Sequence, residues 1–280
     1  MHSYLQLMRI SNCAMAAFAS IIAVLITFGI LEEGDGLFPI MDSLLVMVTV
    51  VLITGAGNTI NDYYDIHIDS INRPQRPIPS GRVSARNALY FSFLLFAVGI
   101  FLAFWINYVC VAIAIINSFL LVLYARNLKS MPLVGNVSVG YLTGSTFLFG
   151  GAVFGIGGVY ALAILFLLAT FATIAREIVK DIEDMEGDMQ EGAKTLPIVA
   201  GEKVSKFLAS ALGIIGIIAS PYPYLTGLLG EGYLYLVVLA DAVFIFAILA
   251  ILRGNPGKSS KWFKYAMFLA LFAFVAGSSL

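Results

Sequence analysis

The sequence predicts an all-α integral membrane protein with nine transmembrane helices. Three observations carry that reading: the composition, nine apolar runs, and the side of the bilayer on which the basic residues fall. Of 280 residues, 60% are hydrophobic and 12% charged, and the mean hydropathy is +0.94. Soluble domains carry about 25% charged residues, so this composition suits a surface that meets lipid. The net charge of −1 and a pI near 6.1 leave no basic excess to neutralise phosphates, which argues against a nucleic-acid partner. Cys13 and Cys110 lie inside apolar runs and read as small core residues, belonging neither to a disulfide framework nor to a metal site.

A helix needs about 17 to 25 apolar residues to cross a bilayer. Runs of that length, or nearly so, lie at about 13–31, 43–65, 87–106, 108–125, 133–153, 159–181, 205–222, 233–252 and 262–279. The first follows Arg9 and exceeds the roughly 7 to 15 residues of a signal-peptide core, so it reads as a retained helix. The connections then sort by charge. Arg9 precedes helix one; Arg73, Arg76, Arg82 and Arg86 follow helix two; Arg126 and Lys129 follow helix four. Arg176, Lys180, Lys194, Lys203 and Lys206 surround the end of helix six, and Arg253, Lys258, Lys261 and Lys264 follow helix eight. These are all 16 lysines and arginines of the chain. The opposite connections carry Glu32, Glu33, Asp35, Asp42 and Glu231. By the positive-inside rule the N-terminus is cytoplasmic and, with nine spans, the C-terminus is outside. One domain over residues 1–280 is expected, with a weak internal repeat whose halves lie near 1–130 and 131–280. Asp65 and Asp184, like Asp69 and Asp188, are 119 residues apart, and RPIPSGRVS at 76–84 echoes LPIVAGEKVS at 196–205.

Two acid-rich stretches end apolar runs on the cytoplasmic side: NDYYDIHID at 61–69 and KDIEDMEGD at 180–188. On a continuous helix Asn58, Asn61, Asp62, Asp65 and Asp69 share an arc of roughly 100°, and Glu177, Asp181, Asp184 and Asp188 one of roughly 60°. Two carboxylate stripes suit a hard divalent cation such as Mg²⁺, whose octahedron is completed by water and phosphate oxygens. The plain alternative is a pair of solvated helix ends. Arg73, Arg76, Arg126, Lys129 and Lys194 are the candidate cations for a diphosphate. Their alternative role is contact with lipid headgroups. Because the stripes run back into apolar helices, a phosphorylated polyprenol fits better than a soluble nucleotide. The chain has no GxxxxGK[ST] loop, no Cys-His nucleophile set and no GxSxG elbow. Among the remaining polar residues, Asn117 reads as interhelical glue and Asn136 as glue or a cavity group. Asp241 is either a cavity residue or a neutral, hydrogen-bonded acid. His67 reads as incidental, and Tyr63 and Tyr64 as interface aromatics.

The paired motifs NDYYDIHID and DIEDMEGD, with NRPQRPIPSG after the first and GAKTLP after the second, resemble the UbiA-type intramembrane prenyltransferase superfamily. That resemblance covers essentially the whole chain. It implies nine transmembrane helices in a bundle around a central cavity, Mg²⁺, and transfer of a prenyl group from its diphosphate on the cytoplasmic side of the cell membrane. By the resemblance, Asn61, Asp65, Asp69, Asp184 and Asp188 hold Mg²⁺ and diphosphate, with Asp62 and Asp181 as close support. The stretch YARNLK, Tyr124 to Lys129, is similar to the family's tyrosine-to-lysine element, which implies that Lys129 contacts the diphosphate, with Arg126 as its competitor.

Within the superfamily, MRISNCAMA at 8–16, TGAGNTINDYYDIHID at 54–69 and REIVKDIEDMEGDMQEGAKTLP at 176–197 most resemble the archaeal digeranylgeranylglyceryl phosphate synthase branch. This implies geranylgeranyl diphosphate as donor and geranylgeranylglyceryl phosphate as acceptor, with lateral access from membrane lipids and no obligate protein partner. Arg73, Arg76 and Lys194 are then candidates for the acceptor's phosphate. Two other readings stay open at this point. One is the same transfer to an aromatic acceptor, in a quinone or tetrapyrrole pathway. The other is a membrane transporter, which expects charges along a midplane pathway where only Asp241 qualifies.

Overall fold

The computed structural model describes residues 2–31, 36–190 and 192–278. Glu32, Glu33 and Asp35, expected on the outer side, lie outside the described residues. Every regular element among the described residues is helical, as lipid demands of a chain that must satisfy its own backbone polar groups. Nine helices of 18 residues or more occur there: α1 Ile10–Leu31, α2 Ile40–Tyr64, α3 Ala85–Phe104, α4 Tyr108–Arg126, α5 Val134–Gly151, α6 Ala163–Glu183, α7 Glu202–Ala219, α8 Glu231–Leu252 and α9 Pro256–Gly277. Their ends fall within four residues of the apolar runs, except that α9 begins six residues early. Seven of them are long and apolar enough to cross a membrane. The other two are α6, with Arg176, Glu177 and Lys180 near its end, and α9, with Lys258, Lys261 and Lys264 near its start.

Side-chain caps set several of these boundaries. Ser84 Oγ accepts from the Asn87 N–H at 3.2 Å to open α3. Asn107 opens α4 by accepting from the N–H groups of Val109 and Cys110, while its own amide donates to the Ala152 carbonyl at 2.7 Å. Asn255 accepts from the Lys258 N–H, and Pro256 occupies the first helical position, where its missing N–H costs nothing. That cap is why α9 starts early and takes into the helix two lysines, Lys258 and Lys261, that precede the expected span.

By contacts the chain forms two compact units. The first comprises Met1–Val24, Gly36–Asn127 and Ser145–Tyr160, and the second Leu25–Asp35, Leu128–Gly144 and Ala161–Leu280. In the first, α2 buries Val46, Val50, Ile53, Ala56 and Ile60 at helical spacing against Leu95 and Phe96 of α3 and Cys110 and Ala114 of α4. Both cysteines are buried and free, as small core residues. Asn117 donates to Ser145 Oγ at 2.9 Å, a polar link between α4 and α5. In the second unit, Ile174, Ala175, Ile178 and Val179 of α6 pack with Ala209 of α7, Ile248 and Ile251 of α8 and Phe263 of α9. Asp241 accepts from Ser220 Oγ at 2.6 Å, so it is a hydrogen-bonded acid.

The approach of α5 to α6 rests on two glycines. A Cβ on Gly140 would collide with Ile174 and lie 3.0 Å from the Thr170 carbonyl oxygen, and one on Gly144 would collide with Thr170 and lie 2.6 Å from the Phe166 carbonyl oxygen. Such spacing of small residues lets helix backbones meet closely in a membrane. Asn136 lies on the same face of α5, one turn before Gly140, and the contact carries its amide onto Asp181 of α6. Replacing Gly144 with Val is expected to overpack this contact by about 1–3 kcal/mol. A thermal scan of the purified variant in detergent should then show a lowered midpoint.

Candidate active site

The first acid-rich stretch is not one continuous helix. The helix α2 ends at Tyr64, Asp65 adopts φ −88° and ψ 7°, and a short helix continues over Ile66–Asn72. The Asp65 N–H still donates to the Asn61 carbonyl at 3.0 Å, so the turn is hydrogen-bonded although the axis breaks. The second stretch repeats this locally. Here α6 ends at Glu183, Asp184 adopts φ −95° and ψ 3°, a short helix follows over Met185–Gln190, and the Asp184 N–H donates to the Lys180 carbonyl at 2.9 Å. Both aspartates occupy the sparsely populated bridge region in which many active-site residues sit. The continuous helix expected through each stretch is thus interrupted at Asp65 and at Asp184, while the i to i−4 hydrogen bonds run on through both.

Around the first break the carboxylates are partnered. Asp62, 3% exposed, accepts from Arg9 Nη2 at 2.5 Å and from Arg76 Nη1 at 3.2 Å. The same Arg76 nitrogen donates to Asp69 Oδ2 at 2.6 Å, and Asp69 is 5% exposed. Two guanidinium groups thus offset two carboxylates that have lost most of their hydration. Asn61 donates to Asp65 Oδ2 at 2.7 Å and orients that carboxylate. Asn58, expected at the substrate, donates instead to the Met8 carbonyl at 2.8 Å and ties down the N-terminal segment. Arg73 is exposed on the loop that follows.

The sequence presents Arg9 only as a topology signal, yet the residue joins the acid cluster. It sits between the short helix His2–Met8 and α1 with φ +52°, a conformation costing a non-glycine residue about 1–2 kcal/mol. Its partner is 53 residues away, which no local pattern reveals. The segment is further anchored by Leu7, which packs with Ile78 and Val83 of the loop after the first motif, and by Arg82, which donates to Gln6.

In the second unit Asp181 accepts from Asn136 at 2.7 Å, and Glu177 accepts from Arg176 and Lys180. Asp184 is exposed and Asp188 half-buried. Lys194 is exposed, and Arg126 ends α4 exposed in the first unit. Lys129 lies half-buried in the single turn Leu128–Ser130, pressed close because Gly135 leaves only 2.8 Å between a would-be Cβ and the Leu128 carbonyl. His67 is exposed. Among the described residues no three His, Cys, Asp or Glu side chains gather into a cation site. The donor set is nonetheless all oxygen, and Mg²⁺ is held through one or two carboxylates with water and phosphate completing its shell. Asn61, Asp65, Asp69, Asp184 and Asp188 fit that chemistry.

Three comparisons place the chain among known proteins. The model of the UbiA prenyltransferase family matches residues 21–272. A digeranylgeranylglyceryl phosphate synthase of Methanosarcina mazei is 58% identical over 98% of both chains, and one of Methanococcoides burtonii is 54% identical over 99% of this chain and all of that one. Among solved structures, one described as digeranylgeranylglyceryl phosphate synthase in membranes superposes with a TM-score of 0.86 at 40% identity, covering 99% of this chain and 98% of that one. A UbiA homolog from Archaeoglobus fulgidus, solved with GPP and Mg²⁺, shares the fold at a TM-score of 0.70 and 20% identity, covering 96% and 99%.

The shared carboxylate generates a test within the first unit. Exchanging Asp62 for Asn and Arg9 for Gln, singly and together, should give effects on apparent thermal stability in detergent that fail to add by about 1–3 kcal/mol. Additive effects would mean that the pair does not hold the N-terminal segment.

Proposed function

The chain belongs to the UbiA prenyltransferase family, and from that membership we propose its reaction. It transfers a geranylgeranyl group from geranylgeranyl diphosphate to the free hydroxyl of geranylgeranylglyceryl phosphate, forming digeranylgeranylglyceryl phosphate and releasing diphosphate. The observation that carries this reading is 58% identity over 98% of both chains with a synthase of that name. It is an intramembrane enzyme of archaeal ether-lipid biosynthesis. Its nine long helices cross the cell membrane around a central cavity as one domain, the N-terminus cytoplasmic and the C-terminus outside. The gathering of all 16 lysines and arginines into alternate connections supports that topology.

The reaction breaks the allylic C–O bond to diphosphate and forms a C–O ether bond to glycerol, with loss of the hydroxyl proton. Asn61, Asp65 and Asp69 in one motif, and Asp184 and Asp188 in the other, would hold Mg²⁺ and through it the diphosphate. When bound, the ion neutralises the charge that grows on the departing diphosphate. The chain's own residues do the rest. Asn61 keeps the Asp65 carboxylate aimed, as Asn136 does that of Asp181. Arg76 holds Asp62 and Asp69 in place and, with Arg73 and Lys194, is the candidate for the acceptor's phosphate, while Lys129 and Arg126 are candidates for the diphosphate. The apolar helices exclude water from the allylic cation until the acceptor hydroxyl reaches it.

Two experiments test this. Asp65→Asn and Asp184→Asn should each lower turnover by about 10²-fold or more without changing elution in size-exclusion chromatography; near-normal rates in both would remove the metal-site reading. Radiolabelled geranylgeranyl diphosphate should give Mg²⁺-dependent label in a doubly prenylated glycerol phosphate, abolished by a chelator. Label appearing only with an aromatic acid as acceptor would move the enzyme to another branch of the family. No transfer to either acceptor from folded protein would point to transport.

A further inference from the structure

The turn that carries Lys129 is held by two features of the segment that follows it, all within the second unit. Leu128–Ser130 form a single helical turn, closed by the Met131 N–H, which donates to the Leu128 carbonyl at 2.9 Å. The chain then reverses. Leu133 adopts φ +63°, and the Val134 N–H donates to the Pro132 carbonyl at 2.7 Å. A hydrogen bond across two residues with positive φ at the middle one marks a γ-turn of the rare, strained hand. Such strain persists only where the surroundings over-determine it. The Leu133 side chain supplies the first hold by packing against the apolar core of the second unit.

The second hold is Gly135, which is buried. A Cβ placed there would lie 2.8 Å from the Leu128 carbonyl oxygen and 3.3 Å from both the Cα and the carbonyl oxygen of Lys129. All three atoms are backbone, so none can swing aside. At Gly55 and Gly57 the nearest atoms belong instead to the side chains of Met8 and Leu121, which can yield. Any side chain at position 135 would therefore push the turn itself, Lys129 included, away from the start of α5. The next residue, Asn136, donates to Asp181 Oδ2 at 2.7 Å. One short stretch, 133–136, thus seats the backbone of Lys129 and reaches the carboxylate of Asp181.

We propose that Gly135 is a positioning residue for the diphosphate of the donor. Without a Cβ it seats the Leu128–Ser130 turn on the start of α5, and thereby fixes Lys129 in register with Asp181. The proposal rests on the reading of Lys129 as a diphosphate contact. Gly135 offers no side chain to a substrate and acts through the lysine, so its effect falls on the donor and spares the acceptor.

The test is steady-state kinetics of the full-length protein in detergent, varying geranylgeranyl diphosphate and geranylgeranylglyceryl phosphate separately. Gly135→Ala should raise the KM for the diphosphate about tenfold, because a small displacement of a positioned group has a large effect, and leave the KM for the acceptor within about twofold. Leu133→Gly adds no atoms and releases the strained turn, so it probes the same role if the alanine variant fails to fold; a rise of about threefold in the same KM is expected. Lys129→Ala should raise that KM too, and adding Gly135→Ala to it should change nothing further, since residues that act through one group are not additive. A raised donor KM in Lys129→Ala with unchanged values in both loop variants would overturn the positioning role and keep the lysine at the diphosphate. An unchanged donor KM in Lys129→Ala would overturn the reading of the lysine, and the proposal with it. Losses that multiply in the double variant, or a lower kcat with both KM values unchanged, would also overturn the proposal, by assigning Gly135 to the fold alone.

Discussion

A carboxylate buried at the end of an apolar helix needs partners that replace the water it has lost. In this protein that constraint is concentrated on Asp62, almost fully buried and shared by Arg9 and Arg76. Three parts of the first unit meet at this one side chain: the N-terminal segment through Arg9, the end of α2 through Asp62 itself, and the proline-containing loop through Arg76. Because Arg76 also binds Asp69, the positions of the first motif's acids and of the loop that follows are set together. Two guanidinium groups and two carboxyl groups thus face one another in a single cluster.

Both motifs place an aspartate where a long helix breaks into a short one, with nearly identical backbone angles. A break of this kind turns the following carbonyls and side chains away from the axis of the spanning helix while the chain keeps its i to i−4 hydrogen bond. In the first motif Asp62, before the break, and Asp69, after it, still converge on the same Arg76 nitrogen.

Close packing supports the second motif as charge supports the first. Gly140 and Gly144 bring α5 against α6, and the amide of Asn136 reaches Asp181 only because that gap is narrow. The polar contact and the steric contact lie on one face of α5, at intervals of one turn. In lipid, where apolar burial between helices contributes little, van der Waals contact of this sort is the main cohesive force. Of the two readings of Asn136, as interhelical glue or as a cavity group, the contact with Asp181 supports the first.

The sequence by itself determined the all-helical architecture, the positions of the nine long helices, the two acid motifs and the family, because each depends on patterns within a short window: apolar length, helical spacing, charge in the connections, and a motif with its flanking loop. It also marked Asn117 as glue and the cysteines as core. It misplaced the start of α9, since the Asn255 cap and Pro256 outweigh the lysines that follow. Three matters were decided only by tertiary structure. They are the engagement of Arg9 with Asp62, the diversion of Asn58 to the Met8 carbonyl, and the capture of Asp69 by Arg76. The physical reason is common to all three. Which of several nearby donors a buried carboxylate or carbonyl receives depends on distances of a few tenths of an ångström between segments far apart in the chain, and no periodicity along the chain encodes them.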